Sequence, residues 1–378
     1  MEIGLYIHIP FCTSKCFYCD FLSFPKEEMQ EAYINALVKE VENYGKMLDA
    51  AVAIKSIFIG GGTPTVLPPF LLDKLAATIT KNFKLIPNAE WTIEANPGTL
   101  TKEKVEVIAK YPINRISMGL QTTHDYLLRK IGRKHTFKDW EESLHLVKTY
   151  TNCAVNADLM FALPGQTLEE FKQTLETVTK YDLEHLSVYA LIIEEGTCFG
   201  KRYEEGKLEE VSEELDREMY HLAQSYLKQC GYHQYEISNW AKPHKECQHN
   251  IVYWQRIPYL GLGLGARSLW NNIRYANEEN LKAYIEAAGD VHKIRHEEEK
   301  LTEEMCMEEY MFLGLRLFEG ISEDDFEKQF GQSVWDVYEE QLNKWIKYKV
   351  LVKDKGRIKL TPYGLDVCNE VFSSFLMT

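Results

Sequence analysis

Residues 4–19 read GLYIHIPFCTSKCFYC, and this stretch decides the fold. Its first half, residues 4–10, alternates apolar and other side chains with period two, the pattern of a strand. Its second half places Cys12, Cys16 and Cys19 in a Cys-x3-Cys-x2-Cys spacing on the loop that follows. Three thiolates on so short a loop can grip three corners of an iron–sulfur cubane and leave the fourth iron open to a small ligand. Zinc would ask for a fourth ligand. His8 is the nearest, although a histidine within a strand reads more simply as a packed or pocket-lining residue. Simple burial of three cysteines side by side would be an unusual use of this spacing.

Outward from that loop, strand-like and helix-like segments alternate. Further strands are expected at 55–60, 90–96, 115–121, 154–163 and 185–191, and helices at 27–44, 69–83, 101–111, about 138–150 and 168–181. Six strands separated by helices imply a parallel sheet with right-handed crossovers. Eight units are not visible, so the expected class is α/β, a partial (β/α)6 TIM-like barrel with a C-terminal helical, winged-helix-like domain. Residues 1–205 form the barrel in this reading. Residues 206–298 are a middle segment with a long helix near 211–230 and a glycine run, YLGLGLGARS at 259–268, expected to complete the pocket. Residues 299–378 form the winged-helix-like module, with helices at 302–317 and 333–350, a hairpin turning at Lys355-Gly356 and a last helix from about 362.

A length of 378 residues allows a large core plus an appendage. The net charge of −14 argues against a general binder of nucleic acid or of anionic membranes. The N-terminus has no basic and apolar leader, and no apolar run is long enough for stable membrane insertion, so the expected location is the cytoplasm. Nine cysteines, an odd number, do not read as a disulfide framework, and reduced thiols are what metals need. Residues 333–378 balance seven lysines and arginines against six acids without a basic stripe. A lid or partner-docking role therefore suits this module better than nucleic-acid binding.

The chemistry collects at the strand ends. Gly60-Gly61-Gly62-Thr63-Pro64-Thr65 closes the second strand, and its glycines let backbone groups approach a ligand; alone it could be a mere tight turn. Glu94 lies near the end of strand three, Gln121 ends strand four, Asp158 lies within strand five and Ala190 near the end of strand six. Arg133, in Lys130-Ile131-Gly132-Arg133, follows strand four and could meet a carboxylate or simply cap a helix. Barrel sites form at the carboxyl ends of strands, so these positions converge with the cysteine loop into one pocket.

Cys-x3-Cys-x2-Cys after a first strand, followed by GGGTPT, resembles the radical S-adenosylmethionine (SAM) superfamily. Within it, residues 6–12 (YIHIPFC), 116–121 (ISMGLQ), 158–160 (DLM) and 163–167 (LPGQT) resemble the branch that holds coproporphyrinogen dehydrogenase and the HemW group. The resemblance covers nearly the whole chain. It implies a [4Fe–4S] cluster on Cys12, Cys16 and Cys19. It also implies SAM chelating the open iron and cleaved by a cluster electron to methionine and a 5′-deoxyadenosyl radical. By the same resemblance Tyr6, Tyr18, Gly61, Gly62, Thr63, Glu94, Gln121, Arg133, Asp158 and Ala190 match SAM-contacting positions. Glu94 would meet the SAM amino group or ribose, Arg133 the carboxylate and Asp158 the ribose.

Two departures from the dehydrogenase point to the HemW group, regarded as heme chaperones. Phe21 stands where the dehydrogenase has a further cysteine, and the first strand begins near residue 4 rather than after an extension. The string His249-Asn250-x2-Tyr253-Trp254 matches a motif of that group linked with heme handling. A heme pocket wants an axial ligand and an aromatic wall. His249 is the first ligand candidate and Cys247 the second, with Tyr253 and Trp254 as wall, although a histidine beside aromatics is more often a packing residue. Arg267 stands where the group often has histidine, and it could pair with a propionate. The expected function is to bind heme and hand it to an acceptor protein, with an electron donor protein serving the cluster. The alternatives are oxygen-independent decarboxylation of coproporphyrinogen III propionates and radical chemistry on an unrelated substrate.

Overall fold

The computed structural model describes residues 1–377. Glu2–Ile9 (β1), Ala53–Gly61 (β2), Leu85–Ala95 (β3), Arg115–Gln121 (β4), Ala154–Phe161 (β5) and His185–Ala190 (β6) pair in parallel and in chain order. The register lines Tyr6 up with Phe58 and Phe58 with Thr92, while Leu5 lines up with Ile57 and Ile57 with Trp91. Successive side chains point to opposite faces. The Leu5, Ile57 and Trp91 row is therefore buried in the main core, among the apolar stripes of the crossover helices Gln30–Met47, Pro69–Asn82 and Lys102–Lys110. The other face, carrying Tyr6, Phe58, Glu94, Ser117 and Asp158, lines the inside of a partial barrel.

Local signals set the helix starts. Thr136 with Asp139 and Thr167 with Glu170 form capping boxes that open the helices Phe137–Tyr150 and Leu168–Val178. Each cap contributes about 1 kcal/mol. Gln121, at the end of β4, has φ of 70° where the register with β5 slips, a bulge that re-aims its side chain.

The sheet has twelve strands rather than six. His233–Glu236 (β7) and Asn239–Ala241 (β8) extend it antiparallel beyond β6. Tyr259–Leu262 (β9) runs parallel to β1 and is followed by Arg267–Trp270 (β10), Ile273–Asn277 (β11) and Arg295–Lys300 (β12). The open order is β12-β11-β10-β9-β1-β2-β3-β4-β5-β6-β8-β7. The middle segment thus supplies both flanks of the sheet. Its strands are three to six residues long, and β12 reads RHEEEK, mostly exposed, as suits an edge that must not recruit another strand. The glycine run is tied down by Glu40, whose carboxylate accepts from the Gly263 N–H at 3.0 Å and from Asn277 at 2.8 Å, and also meets the Tyr284 hydroxyl. Burial pushes Glu40 up to about 7.

The C-terminal module has its own core around Met311, Phe326, Tyr338, Trp345 and Ile358. Helices Glu303–Gly314 and Val334–Lys347 stand where the sequence places them. Leu351–Asp354 (β14) and Arg357–Leu360 (β15) form the hairpin, with Lys355 and Gly356 both at positive φ. A third strand, Ile321–Ser322 (β13), completes the small sheet. The helix Glu323–Phe330 is an addition to the sequence reading. A buried Arg256–Glu309 ion pair at 2.6 Å ties the module to the middle segment. Among the described residues no helix is long and apolar enough to cross a membrane.

Candidate cofactor site

The carboxyl ends of β2 to β6 and the cysteine loop enclose a cavity of about 330 Å³. The loop is fixed at both ends. Phe24 and Cys12 exchange backbone hydrogen bonds with their neighbours (Phe24 N to Pro10 O, 2.8 Å; Cys12 N to Phe24 O, 3.2 Å), and Phe17 N donates to Ile131 O at 3.0 Å. Cys12, Cys16 and Cys19 all line the cavity as free, partly exposed thiols. Cys12 Sγ lies 3.5 Å from Thr63 Oγ1. Burial, with a smaller contribution from the neighbouring Cys16, pushes the Cys19 thiol up to about 11. Among the described residues no three Cys, His, Asp or Glu side chains converge on a single metal ion. Thiols set around a rim suit a cubane, which takes one thiolate at each of three corners. His8 is not a fourth ligand here, since Tyr6 OH lies 2.9 Å from its Nδ1 and Leu22 O lies 2.8 Å from its Nε2.

Of the ten positions expected to contact SAM, nine line the cavity: Tyr18, Gly61, Gly62, Thr63, Glu94, Gln121, Arg133, Asp158 and Ala190. Tyr6 does not; its hydroxyl is turned to His8. Gly61 has φ of +101°, and a Cβ there would stand 2.3 Å from the His8 ring, so only glycine fits. Its N–H donates to Glu94 Oε2 at 3.0 Å. A Cβ at Gly119 would lie 2.6 Å from Arg133 Nη2, which explains how that guanidinium reaches the cavity floor.

The floor is polar. Arg133 Nη1 donates to Asn96 Oδ1 at 2.8 Å, and Asn96 Nδ2 donates to Thr63 Oγ1 at 2.7 Å. Ser117 Oγ and Asn156 Nδ2 both donate to Asp158 Oδ1, at 3.2 and 2.6 Å. Tyr189 OH donates to Gln121 Oε1 at 3.2 Å. Burial, then the nearby Asp158, pushes Glu94 up to about 8, and burial raises Asp158 too. Two enclosed carboxyls that oppose each other's ionisation attract a cation. Arg133 Nε is buried without a partner, an open donor for an anionic group. SAM carries an ammonium, a sulfonium and a carboxylate on one small molecule, so the floor fits it. Asn96, Ser117 and Tyr189 line the cavity and are site residues that the sequence reading passed over, while Asn156 supports Asp158 from behind. Asn96 had a signal, an Asn-Pro-Gly turn at a strand tip; the others face inward only because of the register.

His249 lies elsewhere. None of the residues lining this cavity comes from 206–298. The helix Gln248–Trp254 packs instead against the starts of β1 and β2, at the opposite end of the barrel. His249 is buried, with Ser56 Oγ 2.9 Å from Nδ1, Tyr253 OH 2.9 Å from Nε2 and the Phe58 ring stacked at 5.3 Å. Burial pushes it down to about 3. With both ring nitrogens engaged it presents no lone pair to a heme iron in this conformation. Cys247 Sγ is likewise occupied, donating to Glu90 Oε1 at 3.3 Å. Arg267 is exposed at a sheet flank beside Glu297, 3.4 Å away.

Comparison with known proteins follows the same division. The radical SAM superfamily model matches residues 6–178, and the HemN C-terminal domain model matches residues 301–367. The chain is 38% identical to the heme chaperone HemW of Lactococcus lactis subsp. lactis (strain IL1403), over 98% of this chain and 97% of that protein. It is 37% identical to the heme chaperone HemW of Bacillus subtilis (strain 168), over 98% of each. Among solved structures, the radical SAM enzyme coproporphyrinogen III oxidase (HemN) from Escherichia coli superposes with a TM-score of 0.87 at 22% identity. That match covers 100% of this chain and 90% of HemN, and it shows a shared fold.

Proposed function

This chain belongs to the HemW family of the radical SAM superfamily, and from that membership and the geometry of the cavity we propose that it is a heme chaperone that binds heme and passes it to an acceptor protein. Its cofactors are a [4Fe–4S] cluster and SAM. When bound, they supply one-electron reduction at the iron left open by three thiolates.

The chain's own part is binding and orientation. Cys12, Cys16 and Cys19 hold the cluster at the cavity rim. Glu94 and Asp158 give up their protons, or keep them, according to whether a cation lies between them, and Arg133 meets a carboxylate through the N–H left open. Gly61 and Gly119 keep the floor low enough for these contacts. Phe21, 61% exposed at the mouth, offers an apolar face in place of a fourth thiol. An acceptor for the heme and an electron donor complete the reading, and the cytoplasm is the compartment that suits reduced thiols.

The observation that carries the reading is the meeting of three thiols, two enclosed acids and one open arginine on a single cavity. The test is anaerobic cluster reconstitution of the full chain, followed by heme titration and a parallel assay with coproporphyrinogen III, SAM and reductant. Stoichiometric heme binding without protoporphyrinogen is expected. Protoporphyrinogen formation would replace the chaperone reading with the decarboxylase.

A further inference from the structure

A second cavity, of about 390 Å³, lies on the other side of the β6 tip, where the barrel meets the C-terminal module. Tyr189, Ala190 and Ile192 line both cavities, so a single strand end divides them. Two arginines face the second cavity, and they differ. Arg217 is neutralised within the chain by Asp216 at 2.5 Å and Asp366 at 3.5 Å. Arg316 makes no side-chain hydrogen bond or ion pair among the described residues, and its Nε is buried without a partner. Its guanidinium carbon lies 4.7 Å from the centre of the Trp254 ring and 5.6 Å from that of Phe372.

The buried Glu236 carboxylate lies within electrostatic reach of Arg316 without bonding it, so a guanidinium held beside two aromatic rings keeps hydrogen-bonding capacity that a ligand can use. Its planar fork matches a carboxylate. Asp366 and Glu370 line the same cavity, and Asp366 is already paired with Arg217. At the shared edge Ile192 is 66% exposed, and Phe21 stands across the mouth of the first cavity. Apolar surface next to an open cation fits an apolar ring system that carries carboxylates, as heme does with its two propionates.

We propose that heme docks over the β6 tip, with one propionate paired to Arg316 in the second cavity and the macrocycle against Ile192. Trp254 is a positioning residue that fixes the guanidinium. This assignment rests on the heme-chaperone reading above.

The test uses the full chain with its cluster reconstituted, titrated with heme and with heme dimethyl ester, whose propionates carry no charge, and followed by the Soret band. Wild type should bind heme at least tenfold tighter than the ester. R316Q should weaken heme binding on the order of tenfold to a hundredfold and leave ester binding within twofold. R316K should recover part of the loss. W254L should weaken heme binding in the wild-type background and add nothing to R316Q. Thermal melting and SAM affinity, unchanged in R316Q, report an intact fold. Equal affinity of wild type for heme and ester, or equal losses of both in R316Q, would overturn the proposal while leaving the chaperone reading standing. Failure of wild type to bind either ligand would overturn that reading and this assignment with it.

Discussion

The two ends of the barrel hold similar residues and differ in how far those residues satisfy one another. At the amino end, Glu90 meets Arg115 at 3.0 Å and accepts from His249 N at 3.0 Å, while His185 lies 2.7 Å from Asn156 Oδ1 and 2.9 Å from Tyr235 OH. The acids and histidines there are all engaged, although Arg115 Nη1, Thr92 Oγ1 and Trp254 Nε1 are buried without a partner. At the carboxyl end, two acids share an enclosure, Arg133 has an open N–H, and a cavity of about 330 Å³ stands between them. Composition alone does not separate a structural polar plug from a ligand site. Unspent hydrogen-bonding capacity beside an open volume does.

Four experiments sharpen or break this contrast. The largest effect belongs to the cysteine rim. Replacing Cys12, Cys16 and Cys19 together by alanine should abolish iron and sulfide binding after reconstitution; retention of wild-type iron would end the cluster assignment. Next comes the plug. Glu90→Ala leaves Arg115 buried without its counter-charge and should cost about 3–5 kcal/mol, read as a lower urea midpoint at unchanged m-value. A near-neutral result would show that water reaches the plug.

Arg133→Met should be the reverse case, with SAM affinity measured by equilibrium dialysis falling about tenfold or more and the urea midpoint barely moved. If stability fell and SAM affinity held, the two ends would have exchanged roles. The last effect vanishes at neutral pH and shows only as acid sensitivity at the plug. Burial holds His249 down to about 3 in the folded chain, against about 6.5 when unfolded. The unfolded chain therefore binds the extra proton first. Stability from this group is complete above pH 6.5 and is lost progressively as pH falls toward 3. His249→Gln should flatten the stability-versus-pH curve between those limits and leave it unchanged above pH 7.

The first strand, the cysteine loop, the glycine loop and the strand tips were legible because each is local. Period-two alternation, short thiol spacing and glycines at a turn need no partner to be recognised. The capped helices at 137–150 and 168–178 were legible for the same reason. The flanking strands were not, because three to six residues at a sheet edge carry no periodicity strong enough to stand out, and β12 is nearly all charge. Tyr189 and Ser117 were missed because inward and outward residues of a parallel strand look alike until register assigns a face.

The sequence by itself determined the (β/α)6 succession, the winged-helix-like end and the residue types that could hold a cluster and SAM, since these follow from spacing along the chain. Only the tertiary structure decided that the middle segment flanks both edges of the sheet, that His249 closes the amino end of the barrel, and that Arg316 stands open beside Trp254. Those outcomes depend on contacts between residues from 60 to nearly 200 positions apart. Packing, rather than local preference, settles which of many buried polar groups finds a partner and which is left for a ligand.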